Sequence, residues 1–126
     1  WNARDGKCLY VLREHEGAAS GVAFSPDGAV LVSGAEDNTV RVWDMRSGDL
    51  LRRLVKPEWK VTGLAVSADG SCLACAARDG TVSLWDLESG ESRFALDGHE
   101  GAVQAIAVAA DGKTMVSAGL DHDVCR

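Results

Sequence analysis

The chain has 126 residues, of which 46% are hydrophobic and 25% charged, and its formal net charge is −6. That balance suits a soluble globular protein of one ordinary domain's size. The acidic charge argues against wholesale binding to nucleic acid or to an anionic membrane surface, and no apolar run approaches the ~20 residues needed to span a bilayer.

The chain divides into three tandem units, 1–42, 43–84 and 85–126, marked by Trp1, Trp43 and Trp85 at a constant spacing of 42. Self-similarity at a fixed period means that fold and function have to be read through one repeated design. Nine columns are identical in all three units, headed by Trp1, Gly6, Leu12, Glu16, Ala23, Asp27, Gly28, Asp37 and Val40.

In the middle unit, Met45 to Asp49 reads as a turn in which Gly48 supplies a positive φ. Leu50 to Val55 follows as a strand, and its Arg52 and Arg53 suit an exposed outer edge where charge discourages pairing with strangers. Lys56 to Lys60 reads as a loop, because Pro57 cannot donate to a ladder. Val61 to Val66 is a second strand, and Ala68-Asp69-Gly70 is a hairpin signal. Cys72 to Ala77 is a third strand, Arg78-Asp79-Gly80 another tight turn, and Thr81 to Trp85 the fourth strand. Ser25-Pro26-Asp27-Gly28 and Ala110-Asp111-Gly112 mark the matching hairpins in the other units, and Asp37-Asn38 and Asp121-His122 the later turns. Helical periodicity is absent. Four strands of about six residues with short turns fill a repeat of this length. The reading is therefore all-β: propeller blades of four antiparallel strands each, in three repeats that make up one segment over 1–126.

Cys72 and Cys75 form a C-x-x-C, which can mark metal or redox chemistry. On a strand, residues three apart point to opposite faces and cannot chelate one ion. Cys8, Cys72, Cys75 and Cys125 are read as small buried thiols in a reducing compartment, with no metal site and no cofactor.

The sequence resembles the WD-repeat β-propeller family, over its whole length. The matching residues are Gly98-His99 with Trp85-Asp86, His15 with Trp43-Asp44, and Ser25-Pro26-Asp27-Gly28. The departures are Pro57 where the family favours His, Cys75 for Ser or Thr, Asn2 for Asp, and Glu14 and Lys56 for Gly before the His column. The resemblance implies a buried hydrogen-bonded tetrad in each blade. Here it maps onto His15, Ser33, Asp37 and Trp43 in the first unit, and onto His99, Ser117 and Asp121 in the third. The middle unit keeps Asp79 and Trp85, so Asp79 is expected to find backbone N–H groups or water.

An imidazole, a hydroxyl and a carboxylate together also fit a hydrolase. Recurrence at the repeat period favours a structural role instead, and no Gly-x-Ser-x-Gly elbow is present. The resemblance further implies that a sequence repeat is offset from a blade. Residues 8–12 are then an outer strand of a preceding blade, two blades are complete, and Val103 to Arg126 supplies three strands of another. Two arrangements follow: part of a longer propeller, or a head-to-tail homo-oligomer in which copies lend outer strands to one another.

The function expected is a non-catalytic interaction scaffold that binds other proteins or peptides through rim loops, with no nucleic acid and no membrane partner. The candidate contact residues are Glu16, Gly17, Glu36, Trp59, Lys60, Arg78, Glu100 and Leu120. Trp59 stands out because its column holds Gly17 and Gly101. A sensory or regulatory segment of a larger signalling protein is the alternative, and a cytoplasmic location is expected.

Overall fold

In the computed structural model, residues 1–55 and 60–126 are described. The described residues form eleven strands: β1 (Ala19–Phe24), β2 (Val30–Ala35), β3 (Thr39–Asp44), β4 (Leu50–Val55), β5 (Val61–Val66), β6 (Cys72–Ala77), β7 (Thr81–Asp86), β8 (Ser92–Asp97), β9 (Val103–Val108), β10 (Met115–Gly119) and β11 (Val124–Cys125). They form two four-stranded antiparallel sheets, β1-β2-β3-β4 and β5-β6-β7-β8, and a three-stranded sheet in the order β11-β10-β9. The four strands read from the middle unit coincide with β4 to β7, within one residue at the end of β7.

The turns account for the strand boundaries. Gly28, Gly70 and Gly112 have φ of 69°, 73° and 66°, and Gly48 has 80°. These are left-handed values that a Cβ opposes. Asn38 (φ 64°), Gly80 (φ 90°) and His122 (φ 71°) occupy one column in the other tight turn. The chain thus tolerates Asn and His where glycine would be free of strain.

The first strand of each sheet, β1, β5 and β9, faces its counterpart in the next sheet. Between the first two sheets, Val32, Val40, Val42 and Leu54 pack against Val61, Leu73 and Cys75 as one apolar cluster. The approach is close at Gly34, where a Cβ would stand 2.5 Å from Val61 Cγ1. Polar side chains tie the sheets at the same place. The Ser20 hydroxyl donates to the Val61 carbonyl, and the Thr62 hydroxyl, one repeat later, donates to the Val103 carbonyl.

A second tie lies on the outside. Arg52 donates from Nη1 to the Ser89 carbonyl at 2.9 Å and from Nη2 to the Glu88 carbonyl at 2.6 Å. Its column-mate Tyr10 donates its hydroxyl to the Arg46 carbonyl at 2.9 Å. Arg52 therefore does more than guard an edge: it grips the β7–β8 turn of the next sheet.

Two sequence expectations need correction. Residues 8–12 form no strand. Tyr10 holds its column's position against the next sheet, but no neighbouring strand offers a ladder, and an isolated extended segment has no hydrogen bonds of its own. The thiols are all free, as read, but only Cys75 is buried; Cys72 and Cys125 are half-buried and Cys8 is exposed. Burial pushes the Cys75 thiol well above its ordinary pKa. Among the described residues, no group of three or more His, Cys, Asp or Glu is placed to hold a metal ion.

Candidate functional site: the polar quartets and the inner rim

The loop before β1 brings His15 over the end of the first sheet, where β2 presents Ser33, the β2–β3 turn presents Asp37 and β3 presents Trp43. His15 Nδ1 lies 2.9 Å from Asp37 Oδ2, and His15 Nε2 lies 2.8 Å from Ser33 Oγ. The Trp43 indole N–H donates to Ser33 Oγ at 2.8 Å. A carboxylate only accepts, so Nδ1 carries the donated proton, and in the neutral ring Nε2 accepts from the Ser33 hydroxyl. Every polar atom of the quartet is thereby used, which is the condition for burying it. Ser33 is only 6% exposed.

The third unit repeats the geometry. His99 Nδ1 lies 2.8 Å from Asp121 Oδ2, and His99 Nε2 lies 2.9 Å from Ser117 Oγ. The middle unit differs. Cys75 stands buried in the serine column, and Asp79, an exposed residue, accepts from the Thr81 N–H at 3.0 Å and from the Thr81 hydroxyl at 2.7 Å. The backbone donor was expected; the threonine hydroxyl was not, and neither was the exposure.

Threonine two residues after the aspartate also serves the first unit, where the Thr39 N–H and hydroxyl both donate to Asp37 Oδ1, at 3.0 and 2.6 Å. The Asp-x-Thr spacing, an Asx-turn pattern, was the signal available for it. The Glu16 N–H donates to Asp37 Oδ2 at 3.0 Å, and the Glu100 N–H does the same for Asp121. Glu16 and Glu100 thus serve the quartets through their backbones, while both side chains stand exposed.

Burial pushes the Asp37 carboxyl up, but the hydrogen bonds from Thr39, His15 and the Glu16 N–H outweigh it and hold the pKa well below the usual carboxylate range. Asp121 is lowered in the same way: burial raises it, and His99 with the Asp123 and Glu100 N–H groups more than compensates. A carboxyl whose folded pKa is depressed stabilises the fold above its unfolded pKa of about 3.9 and loses that contribution as pH falls through the folded value. The expected result is a melting temperature nearly constant from pH 7 to 5 that declines below about pH 4, with the decline shallower in Asp37→Asn. Thermal melts by circular dichroism across that range test it.

The departure at Glu14 has a local partner. Glu14 Oε2 accepts from Arg41 Nη1 at 3.3 Å, and Arg41 is itself buried. In the third unit the same two columns hold Gly98 and Cys125, whose thiol meets the Gly98 carbonyl at 3.8 Å. The two columns change together from unit to unit, a signal readable in the sequence.

The remaining candidates fall on the inner rim. Glu36, Lys60, Arg78 and Leu120 line one cleft of about 250 Å³, together with Ser20, Thr62 and Gln104. Glu36, Lys60 and Arg78 are exposed, and Leu120 is 63% exposed. Gly17 packs under the β2–β3 turn, where a Cβ would meet Asp37 N at 2.6 Å. Trp59, Pro57 and Lys56 lie outside the described residues.

The comparisons with known proteins agree with this architecture. A family model described as "WD domain, G-beta repeat" matches residues 6–44, 48–86 and 90–125. Over 43 residues the chain is 46% identical to the periodic tryptophan protein 2 homolog of Neurospora crassa, a match covering 34% of this chain and 5% of that protein. It is 42% identical over 43 residues to the lissencephaly-1 homolog 1 of Paramecium tetraurelia, covering 34% of this chain and 11% of the relative. The solved structure of U3-55K superposes with a TM-score of 0.87 at 27% identity, covering 91% of this chain and 37% of that one. The RRP9 WD40 repeats give the same TM-score at 26% identity, covering 91% of this chain and 36% of that one. The chain thus spans well under two thirds of the length of each of these relatives. Three matched repeats, two complete four-stranded blades and a three-stranded third place the chain in the WD40 repeat family of β-propeller proteins.

Proposed function

We propose that the chain is a non-catalytic interaction scaffold that holds other proteins or peptides at the inner rim, with the His-Ser-Asp groups acting as structural ties within blades. The observation that carries this reading is the division of labour between buried and exposed polar residues. The quartet hydroxyl and imidazole are shielded and fully bonded to one another, whereas Glu36, Lys60, Arg78 and Leu120 stand out from three successive blades into a shared cleft. Rigid blades that present side chains from several loops at fixed spacing suit recognition of a partner's surface.

The hydrolase reading has His15, Asp37 and Ser33 in a triad-like order. Against it, Ser33 Oγ accepts from the Trp43 indole and is closed off from a substrate, and the arrangement recurs at His99, Ser117 and Asp121. A nucleophile needs an accessible hydroxyl and an oxyanion site. The reading includes a reducing, cytoplasmic setting, supported by four free cysteines. It leaves open both a longer propeller within a larger signalling protein and a head-to-tail assembly of copies.

The test is affinity capture compared across variants. The immobilised wild type should retain partner proteins that a Glu36→Ala/Arg78→Ala/Leu120→Ala variant loses and Arg53→Ala keeps. Hydrolysis of an activated ester should stay at the buffer rate for wild type and Ser117→Ala alike. Unchanged capture by the rim variant, or ester turnover abolished by Ser117→Ala, overturns the proposal.

A further inference from the structure

At the inner end of each blade, one backbone hydrogen bond joins the residue before the turn aspartate to a residue at the start of the first strand. The Glu36 N–H donates to the Ala18 carbonyl at 3.0 Å, the Arg78 N–H to the Lys60 carbonyl at 2.9 Å, and the Leu120 N–H to the Ala102 carbonyl at 2.9 Å. Three pairs of side chains therefore stand on the same backbone framework, and only their chemistry differs. The first blade offers Ala and Glu, the second Lys and Arg, the third Ala and Leu.

The second blade is the exception in an acidic chain. Lys60 and Arg78 are held as backbone neighbours, both exposed, in a protein of net charge −6. Among the described residues, the ion pairs join Lys7 to Asp5, Arg41 to Glu14, Arg93 to Asp86 and the two histidines to their aspartates; none involves Lys60, Arg78 or Glu36. Two cations side by side repel, and an anion between them relieves the repulsion. A guanidinium adds fork geometry matched to a carboxylate.

We propose that this cleft takes an extended acidic peptide, with an Asp or Glu side chain seated between Lys60 and Arg78 and an apolar side chain of the same peptide on Leu120. The proposal rests on the platform reading above and specifies the partner's chemistry. Facing sheets stand about 10 Å apart, and an extended polyproline-type segment rises about 3.1 Å per residue with side chains three apart on one face. The acidic and apolar residues should therefore be about three positions apart. Charge complementarity selects the acid, Leu120 supplies desolvation next to it, and Glu36 on the other side repels a second acid. A single-stranded nucleic acid is disfavoured by the same layout. It needs a continuous basic track with stacking aromatics, and among the described residues of the cleft the cations are flanked by a carboxylate and a leucine.

The experiment is selection from a random peptide library on the 126-residue chain and on a Lys60→Glu/Arg78→Glu variant checked by thermal melt, followed by fluorescence anisotropy on the selected peptides. Wild type should enrich peptides with Asp or Glu about three positions from Leu, Ile or Phe, and changing that acid to Gln should weaken binding at least tenfold. Leu120→Ser should weaken it several-fold. The double variant should enrich Lys or Arg in place of the acid, a switch that unfolding cannot imitate. Enrichment without an acid, no enrichment at all, or displacement of the peptide by a single-stranded RNA oligonucleotide overturns the proposal. If selection fails while the affinity capture described above still depends on the rim residues, the acidic-peptide chemistry is wrong and the platform stands; if capture ignores the rim, the platform itself falls.

Discussion

His15→Ala should lower stability by about 3 kcal/mol. The substitution removes the donor to Asp37 and the acceptor for Ser33, and it leaves a shielded carboxylate and hydroxyl short of partners. Leaving a shielded polar group without its partner costs about 1–3 kcal/mol, more for a charged one, and the two losses together stay near 3 kcal/mol because Thr39 and the Glu16 N–H still hold Asp37. Asp79→Ala is the matched control. Its carboxylate is exposed and, among the described residues, bonded to Thr81, so the loss should stay below about 1 kcal/mol. Urea denaturation of the two variants in parallel checks the difference; equal losses would mean that the quartet does not tie the first blade.

Gly17→Ala should cost about 2 kcal/mol, while Gly101→Ala, in the same column two units on, should cost less than half of that. At Gly17 the added methyl would lie 2.6 Å from Asp37 N and 2.9 Å from Glu36 C, both backbone atoms. Overpacking against atoms that cannot rotate away typically costs about 1–3 kcal/mol. At Gly101 the nearest atom is Asp121 N at 3.2 Å, and a small shift of the loop accommodates it. The Gly17 contact is also the route by which the loop carrying His15 sits against the turn carrying Asp37. The variant should therefore weaken the quartet as well as the packing. Melting temperatures of the two variants, measured together, test the order.

The middle unit shows why so much of the fold was legible. Its turns are built from Asp-Gly and Ser-Gly pairs whose glycines take positive φ, and four six-residue strands lie between and beside them. The quartet residues were legible only through the family resemblance, because their partners lie 10, 18 and 22 positions apart in the chain and no local pattern joins them. What stayed hidden depends on the next blade. Ser20 and Thr62 look like ordinary strand residues, and only the neighbouring sheet reveals the carbonyl that each serves. Arg52 read as a solvated edge charge, because the turn carbonyls of Glu88 and Ser89 that it binds lie more than 35 residues on. Residues 8–12 carry a strand's composition but have no ladder partner here, and composition alone does not make a strand. Glu16 and Glu100 were read as contact candidates on the loop before the first strand, and the bonds from their N–H groups to the turn aspartates were not foreseen.

Indole hydrogen exchange followed by NMR tests the central claim most directly. Trp1 is 85% exposed and serves as the reference within the same molecule, while the Trp43 indole N–H is buried and donates to Ser33 Oγ. If the quartet is a tie locked inside the first blade, the Trp43 indole proton exchanges only when β2 and β3 open, orders of magnitude more slowly than that of Trp1. Exchange of Trp43 at the Trp1 rate would contradict the account.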